Sequence, residues 1–233
     1  SHFLKALCFL HPGSKEFRLQ HREKQYIRMT TEIITKILFL IAVIDPLGSV
    51  PVYLEATKDF DLKHKKKTAM RASVVAFFIL LFFILVGQVI LEGMNVSLDA
   101  FQISGGVILF LFALTMIFGE GKPESEKHSI KDYKHVTIFP VAIPSIASPG
   151  AIMAVVLMTD NHLYEIREQL ITVLLVLFVV ALTMLLLLAA NVVQKRIGEY
   201  GITVVSKIMG LILAAYAVQS ILSGLRDFFV VLN

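Results

Sequence analysis

Two stretches of this chain place prolines and polar residues inside runs that are otherwise apolar enough to cross a membrane. The first, residues 41–54 (IAVIDPLGSVPVYL), contains Asp45, Pro46, Gly48 and Pro51. A bilayer supplies no water to backbone groups that a helix break frees, so such a break is stable only where it is buried in protein or lines a cavity. We therefore expect these residues to belong to a binding site.

The second stretch, residues 139–153 (FPVAIPSIASPGAIM), repeats the pattern about a hundred residues later. Pro144 and Pro149 have the same five-residue separation as Pro46 and Pro51. Two interrupted hydrophobic segments at corresponding positions of two halves are the strongest sequence indication of a transporter with a site near the bilayer midplane.

The composition agrees with a membrane protein. The chain is 56% hydrophobic and only 17% charged, and its mean hydropathy is +0.75. These values lie far from those of soluble domains. The net charge of +4 comes from residues 1–28, so the chain indicates no nucleic-acid partner. The single cysteine, Cys8, excludes an internal disulfide.

Residues 1–28 have no sustained apolar period and precede Met29. We predict that they are a non-native or disordered extension, and that residues 29–233 form a single transmembrane domain. The alternative is a signal peptide, but the apolar part is too short and no small-residue cleavage site follows it.

Six segments approach the length of about 20 apolar residues that a membrane span needs. They are residues 33–54, 73–91, 100–119, 136–159, 169–193 and 208–225. Breaks in the first and fourth indicate two repeats, about 30–119 and 136–226, and an odd number of spans in each repeat forces the halves to be inverted. Gly106 and Gly210 correspond in these halves. The predicted fold is an all-α integral membrane protein with six transmembrane helices in two inverted three-helix repeats, helices 1 and 4 being broken mid-membrane.

Asp45 is the most unusual residue of the first span, because a carboxylate at the bilayer centre costs about 3 kcal/mol on insertion scales. Two interpretations remain open. In the functional interpretation, Asp45 exchanges protons or binds a substrate ammonium group. In the structural interpretation, it caps a half-helix or lies close enough to a membrane face to be solvated. The second half has Ile143 at the aligned position, so each chain has one such carboxylate.

The breaks also create helix ends with partial charges. Ser148 followed by Pro149 fits an N-cap with proline at the first helical position, and Ser49-Val50-Pro51 is a looser version. Free N–H groups at such ends attract anions, and the carbonyls that end the preceding half-helices attract cations. The combination suits a small zwitterion. Alternatively, the prolines merely kink packed helices.

Small residues in the third span, Gly105 and Gly106, favour close helix packing, with pocket lining as the alternative; with Gly210 they also permit a homo-oligomer. Gln102 and Ser104 lie beside them. The candidate substrate- or ion-binding residues are Asp45, Pro46, Gly48, Ser49, Pro51, Gln102, Ser104, Gly105, Gly106, Pro144, Ser145, Ser148, Pro149 and Gly150. The spans contain neither a serine–histidine pair nor an aspartate dyad, so we expect no enzyme activity, and we predict no cofactor or metal site.

Three motifs in this order, IDPLGSVPVYL, FQISGGVILFLFALTMIFG and PVAIPSIASPGAI, closely resemble the MarC family of bacterial and archaeal inner-membrane proteins. The resemblance extends from about Met29 to the C-terminus. It implies membership of the LysE-like transporters, six spans in two inverted halves, and SnatA-like transport of small neutral amino acids such as glycine and alanine, driven by a cation gradient. This chain has Ser49 where many members have asparagine and Ser148 where many have glycine, so its substrate preference is open.

The sequence therefore predicts a secondary transporter of small neutral amino acids in a bacterial or archaeal cytoplasmic (inner) membrane, whose partners are its small-molecule substrate and the lipid bilayer. Import and export are both open. The alternatives are a carrier of another small solute or ion, and a non-transporting membrane scaffold or regulator. A metal carrier is disfavoured because such a route needs several intramembrane carboxylates or histidines.

The distribution of Lys and Arg predicts the orientation of the spans. Lysines and arginines concentrate in the loops after spans 1, 3 and 5, so these loops are expected in the cytoplasm and both termini outside. A reporter that is active only in the cytoplasm, fused after residue 233, should therefore be inactive. Activity of that reporter would overturn the assignment.

Overall fold

The computed structural model describes residues 15–118, 136–159 and 165–231, and all regular structure in these ranges is helical. The all-α prediction is confirmed. The elements in chain order are α1 (Lys15–Ile44), α2 (Ser49–Ala56), α3 (Leu62–Gly93), α4 (Leu98–Phe118), a π-helix (Thr137–Ile146), α5 (Pro149–Leu157), α6 (Ile166–Leu188) and α7 (Ala190–Val231).

Five segments within the described ranges are helical, long and apolar enough to cross a membrane. They are Thr30–Ala56, Leu62–Gly93, Leu98–Phe118, Ile166–Leu188 and Tyr200–Phe229. The fourth predicted span, residues 136–159, was expected to be broken, and it divides into the π-helix and α5, each too short to span alone. Six helices were predicted, and five are found by length and composition. The predicted basic loop with Lys122, Lys127, Lys131 and Lys134 lies outside the described residues.

The chain divides into two compact units, Ser1–Leu38 and Phe39–Asn233. In the first unit, residues 15–38 are helical, and the Thr35 hydroxyl donates to the Thr31 carbonyl over 2.9 Å. Residues 1–14 of the predicted extension lie outside the described residues, and its non-native origin stays a prediction. All other helices, and the last residues of α1, belong to the second unit.

Helix α3 begins at a capped N-terminus. Asp61 adopts an extended conformation, and its carboxylate accepts a hydrogen bond from the His64 N–H over 3.0 Å. This hydrogen bond lowers the pKa of the Asp61 carboxyl. The Tyr53 hydroxyl donates to the Lys65 carbonyl over 2.8 Å. The start of α3 is thereby tied to the preceding helix α2.

Helix α3 then packs against α6, the π-helix and α5. Gly87 permits the contact with α5, because a Cβ there would lie 2.6 Å from the Val156 side chain. The buried face of α3 is built from small residues such as Ala69, Ala72 and Ala76. Small side chains let helices approach closely, so both halves of the second break, the π-helix and α5, pack against α3.

Helices α4 and α7 pack along each other through glycines. A Cβ at Gly106 of α4 would lie 3.0 Å from the Ala217 carbonyl oxygen, and a Cβ at Gly210 of α7 would lie 3.1 Å from the Ala113 carbonyl oxygen. As residue number rises along α4, it falls along α7 at these contacts, so the two helices are antiparallel. The predicted packing role of Gly106 and Gly210 is confirmed.

Helix α7 contains a sharp kink at Gly198, whose φ is 74° and ψ 164°. A positive φ of this size favours glycine. The kink separates the residues 190–197 from the apolar segment Tyr200–Phe229, so only the part after Gly198 serves as the last predicted span.

The close approach of α4 and α7 predicts that Gly210→Ala destabilises the protein. The added methyl would meet the Ala113 carbonyl oxygen at 3.1 Å and the Met116 Cβ at 2.9 Å, and overpacking of this kind costs about 1–3 kcal/mol. We expect the variant in detergent to lose its monodisperse state at a lower temperature than the parent.

Gly93→Ala is the matched control, because nothing lies within 4 Å of a Cβ at that position. It should leave the transition temperature unchanged or raise it slightly, since alanine favours helix. Equal transition temperatures for the two variants would contradict the glycine contacts of α4 and α7.

Candidate functional site

The first break follows directly after Ile44. Asp45 still donates its N–H to the Ile41 carbonyl over 2.9 Å, but its φ is 47°. Aspartate and asparagine are the non-glycine residues that adopt this left-handed conformation most readily. The chain therefore leaves α1 at Asp45 and turns through residues 45–48 before α2 begins.

The carboxylate of Asp45 is folded back over this turn. Asp45 is only 3% exposed, and its Oδ1 accepts a hydrogen bond from the Gly48 N–H over 3.0 Å. A Cβ at Gly48 would lie 1.8 Å from Oδ2 of Asp45. Only glycine at this position leaves room for the carboxylate, so Gly48 and Asp45 form one structural unit.

Ser49 does not cap α2, contrary to the looser N-cap interpretation of Ser49-Val50-Pro51. It is the first residue of the helix, and Gly48 at the N-cap position has no side chain to accept a hydrogen bond. The Asp45 carboxylate already occupies the position before the helix. The Ser49 hydroxyl instead donates to the Asp45 carbonyl over 3.1 Å and to the Ser145 carbonyl over 3.4 Å.

The second break follows a ten-residue π-helix. The Ala147 N–H donates to the Ala142 carbonyl five residues back, over 2.9 Å. Pro140 and Pro144 have no N–H to donate, and a proline ring clashes with the carbonyl four residues earlier in an α-helix. π-helical turns are frequent at functional sites. The side chains of Pro140 and Pro144 lie outside the described part of the structure.

Ser148 and Pro149 begin α5 as the sequence predicts. Ser148 is extended, its hydroxyl oxygen accepts the Ala151 N–H over 3.1 Å, and Pro149 takes the first helical position. The same hydroxyl donates to the Val43 carbonyl over 3.4 Å. The two breaks thus contact each other reciprocally. Ser49, after the first break, contacts a carbonyl at the end of the π-helix, and Ser148, after the second break, contacts a carbonyl at the end of α1.

The residues at the place where the two breaks meet are buried. Val43, Pro46, Ser49, Ser145 and Ser148 are all buried. Among the described residues, no charged side chain forms a hydrogen bond or ion pair with Asp45. The arrangement offers one buried carboxylate and several carbonyl oxygens, which are acceptors suited to a proton, a small cation or an ammonium group.

The middle motif is divided between two surfaces. Gly105 faces α5, since a Cβ there would lie 2.3 Å from the Met153 side chain, whereas Gly106 faces α7. Ser104 is exposed, and its hydroxyl donates to the Ala100 and Phe101 carbonyls of its own helix over 2.9 and 3.1 Å. Gln102 is half-buried. Gly105 is therefore the candidate of this motif that lies against α5, the helix that follows the second break.

The remaining candidates lie in the two breaks. Pro46 is buried and Pro51 half-buried, while Pro149 is exposed. Gly150 is buried. A Cβ at this position would lie 2.7 Å from the Leu109 side chain and 3.4 Å from the Val43 side chain. The structure therefore brings the ends of both breaks together with α4.

Sequence reasoning missed Val43 and Met153. Val43 contributes its backbone carbonyl, for which the side chain gives no signal. Met153 lies one turn beyond Ser148 and Pro149 on α5 and covers Gly105 of α4, a contact between separate helices for which the sequence gives no local signal. The described residues contain no group of three side chains suited to bind a metal ion.

Comparison with known proteins gives one family. Residues 30–229 match the family described as MarC family integral membrane protein. The UPF0056 membrane protein MJ1677 of Methanocaldococcus jannaschii is 35% identical over 80% of this chain and 92% of its own length. The UPF0056 inner membrane protein YhgN of Escherichia coli is 30% identical over 84% of this chain and 96% of its own length. No solved structure matches the chain significantly.

The contact between Gly48 and Asp45 predicts that Gly48→Ala displaces the carboxylate. A methyl group 1.8 Å from Oδ2 forces the side chain out of the turn and away from the Gly48 N–H. We expect Asp45 in this variant to react several-fold faster with a hydrophobic carbodiimide, as quantified by mass spectrometry of the peptide that contains it.

Gly87→Ala serves as the control, because it places a methyl group 2.6 Å from Val156 without contacting Asp45. It produces comparable crowding in the same unit. Equal reaction rates of Asp45 in the two variants would show that Gly48 does not hold the carboxylate in place.

Proposed function

The chain belongs to the MarC family of integral membrane proteins, and we propose on this basis that it is a secondary transporter of small neutral amino acids. In this proposal, glycine- or alanine-like substrates bind between the two broken segments, and Asp45 couples transport to a proton or cation gradient. No enzyme activity is part of the proposal.

The observation that carries the proposal is the meeting of the two breaks around one buried carboxylate. Ser49 contacts the Ser145 carbonyl, and Ser148 contacts the Val43 carbonyl. Interrupted helices are tolerated at membrane depth where they are buried in protein or line a cavity. Kinks made only for packing do not require a buried carboxylate beside them, so we favour a site.

The packing of α4 and α7 supports the proposal of two inverted repeats. Gly106 and Gly210 are 104 positions apart, and so are Ala113 and Ala217. The contact of Gly106 with Ala217 therefore corresponds to that of Gly210 with Ala113 when the halves are exchanged. Corresponding helices of inverted repeats are expected to be antiparallel, as α4 and α7 are, and rocking of one repeat against the other then alternates access.

The chemistry of the breaks suits a small zwitterion better than a metal ion. Carbonyl oxygens near the ends of the half-helices and the Asp45 carboxylate attract an ammonium group. Within the described part of the chain, the Asp45 carboxylate accepts from the Gly48 N–H and forms no ion pair. We place the protein in the bacterial or archaeal cytoplasmic membrane, by analogy with the inner membrane protein YhgN.

Two alternatives remain. A carrier of another small solute or ion uses the same breaks, and differs in the substrate that crosses. A membrane scaffold or regulator uses the breaks only for packing, and predicts that no flux depends on Asp45. The substrate and the carboxylate therefore have to be tested together.

The direct test is uptake of radiolabelled glycine and alanine into proteoliposomes under an imposed pH gradient. We expect gradient-driven uptake by the parent protein, and uptake at the level of protein-free liposomes for Asp45→Asn, because an amide no longer exchanges a proton. Glycinamide, which lacks the carboxylate, should compete less well than unlabelled alanine.

Asp99→Asn is the matched control. Asp99 is a half-buried carboxylate in the first turn of α4, outside the two breaks, and its removal should leave gradient-driven uptake intact. Gradient-driven uptake by Asp45→Asn would support the transporter proposal but assign Asp45 a structural role. Uptake by none of the proteins would favour the other solutes or the scaffold.

A further inference from the structure

We infer that Ser49 and Ser148 form a latch that holds the two helix breaks together, and that this latch opens when the site becomes accessible to solvent. The role of the latch in transport rests on the proposed function, but the contact between the two breaks can be tested without measuring transport. In the closed state, these hydroxyls position the two breaks against each other and do not contact a bound solute.

The two hydrogen bonds of the latch are reciprocal and weak. The Ser49 hydroxyl oxygen lies 3.4 Å from the Ser145 carbonyl oxygen, and the Ser148 hydroxyl oxygen lies 3.4 Å from the Val43 carbonyl oxygen. Hydroxyl donors usually approach their acceptors to 2.7–2.8 Å. Both contacts thus lie at the long limit of a hydrogen bond, and each requires little energy to separate.

Each hydroxyl also has a second partner within its own break. Ser49 contacts the Asp45 carbonyl at 3.1 Å, and the oxygen of Ser148 accepts the Ala151 N–H at 3.1 Å. When the breaks separate, the Ser49 hydroxyl can still donate to the Asp45 carbonyl, and the Ser148 oxygen can still accept from Ala151. An unsatisfied buried polar group is the usual penalty of opening such a contact, and these local hydrogen bonds reduce that penalty for the two serine side chains.

The residues of the latch are buried. Ser49, Ser148 and Val43 are 0% exposed, and Ser145 is 1% exposed. Asp45 lies four residues before Ser49 and shares its carbonyl with the Ser49 hydroxyl. Separation of the two breaks would therefore open a route from the aqueous phase to this carboxylate.

A purely structural role of the serines makes a different prediction. If the hydroxyls served only to hold the core, their removal would loosen the whole second unit. If they form a latch, their removal exposes the crossing, which is the place where the two breaks meet around Ser49 and Ser148, and leaves the remaining core closed. Solvent access at two buried positions distinguishes these cases without any measurement of transport.

The experiment uses a Cys8→Ser background in lipid nanodiscs, where both membrane faces are open to reagent. Ala147→Cys is the probe at the crossing, and Ala76→Cys on α3 is the control probe; both alanines are 0% exposed. The rate of labelling by a membrane-impermeant maleimide is measured for each probe, with and without Ser49→Ala and Ser148→Gly. Glycine at position 148 keeps an acceptable N-cap, so α5 still forms.

We expect the double variant to raise the labelling rate of Ala147→Cys roughly tenfold, which corresponds to the loss of two weak neutral hydrogen bonds. The rate at Ala76→Cys should stay unchanged. Unchanged labelling of Ala147→Cys, or an equal rise at both probes, would overturn the latch.

The same outcomes separate the latch from the proposed function. Selective labelling of Ala147→Cys together with no amino-acid uptake by the parent would support the latch and reject the substrate class. Amino-acid uptake by the parent with no selective labelling would support the transporter and reject the latch.

Discussion

The absence of water in a bilayer is the constraint on which the rest of this structure depends. Two helices of the chain are interrupted, and each interruption frees backbone groups that lipid cannot satisfy. The protein satisfies part of them by placing the interruptions against each other, so that Ser49 and Ser148 donate to carbonyls across the crossing. The packing of α3 and α4 around this crossing follows from the need to keep it buried.

Within the crossing, Asp45 organises its own break. Its N–H ends α1, its carbonyl accepts from Ser49, and its carboxylate accepts from Gly48. A left-handed backbone at a buried aspartate is a conformation that surrounding structure has to hold in place. The structural role of Asp45 in this turn and the transport role that we propose for it therefore involve the same carboxylate.

Much of the fold follows from local chemistry that the sequence displays. Apolar runs of sufficient length predict the helices, and Ser148 followed by Pro149 predicts the start of α5 correctly. The fourth span is different, because Pro140 and Pro144 lie four residues apart in one apolar run. This run forms a π-helix rather than a kinked α-helix, and the choice depends on which hydrogen bonds the neighbouring turns can still form. The role of Ser49 was also beyond local reasoning, since Asp45 took the position before α2.

The sequence by itself determined that the chain is a membrane protein, where its helices are interrupted, and which carboxylate lies at an interruption, since these depend on hydropathy and on the backbone chemistry of proline and glycine. Only the tertiary structure decided which groups meet. The Val43 carbonyl, the approach of Met153 to Gly105, and the separation of Gly105 from Gly106 onto two surfaces arise from packing between helices far apart in the chain. Such contacts depend on the relative placement of whole helices, and a single sequence carries no local signal for that placement.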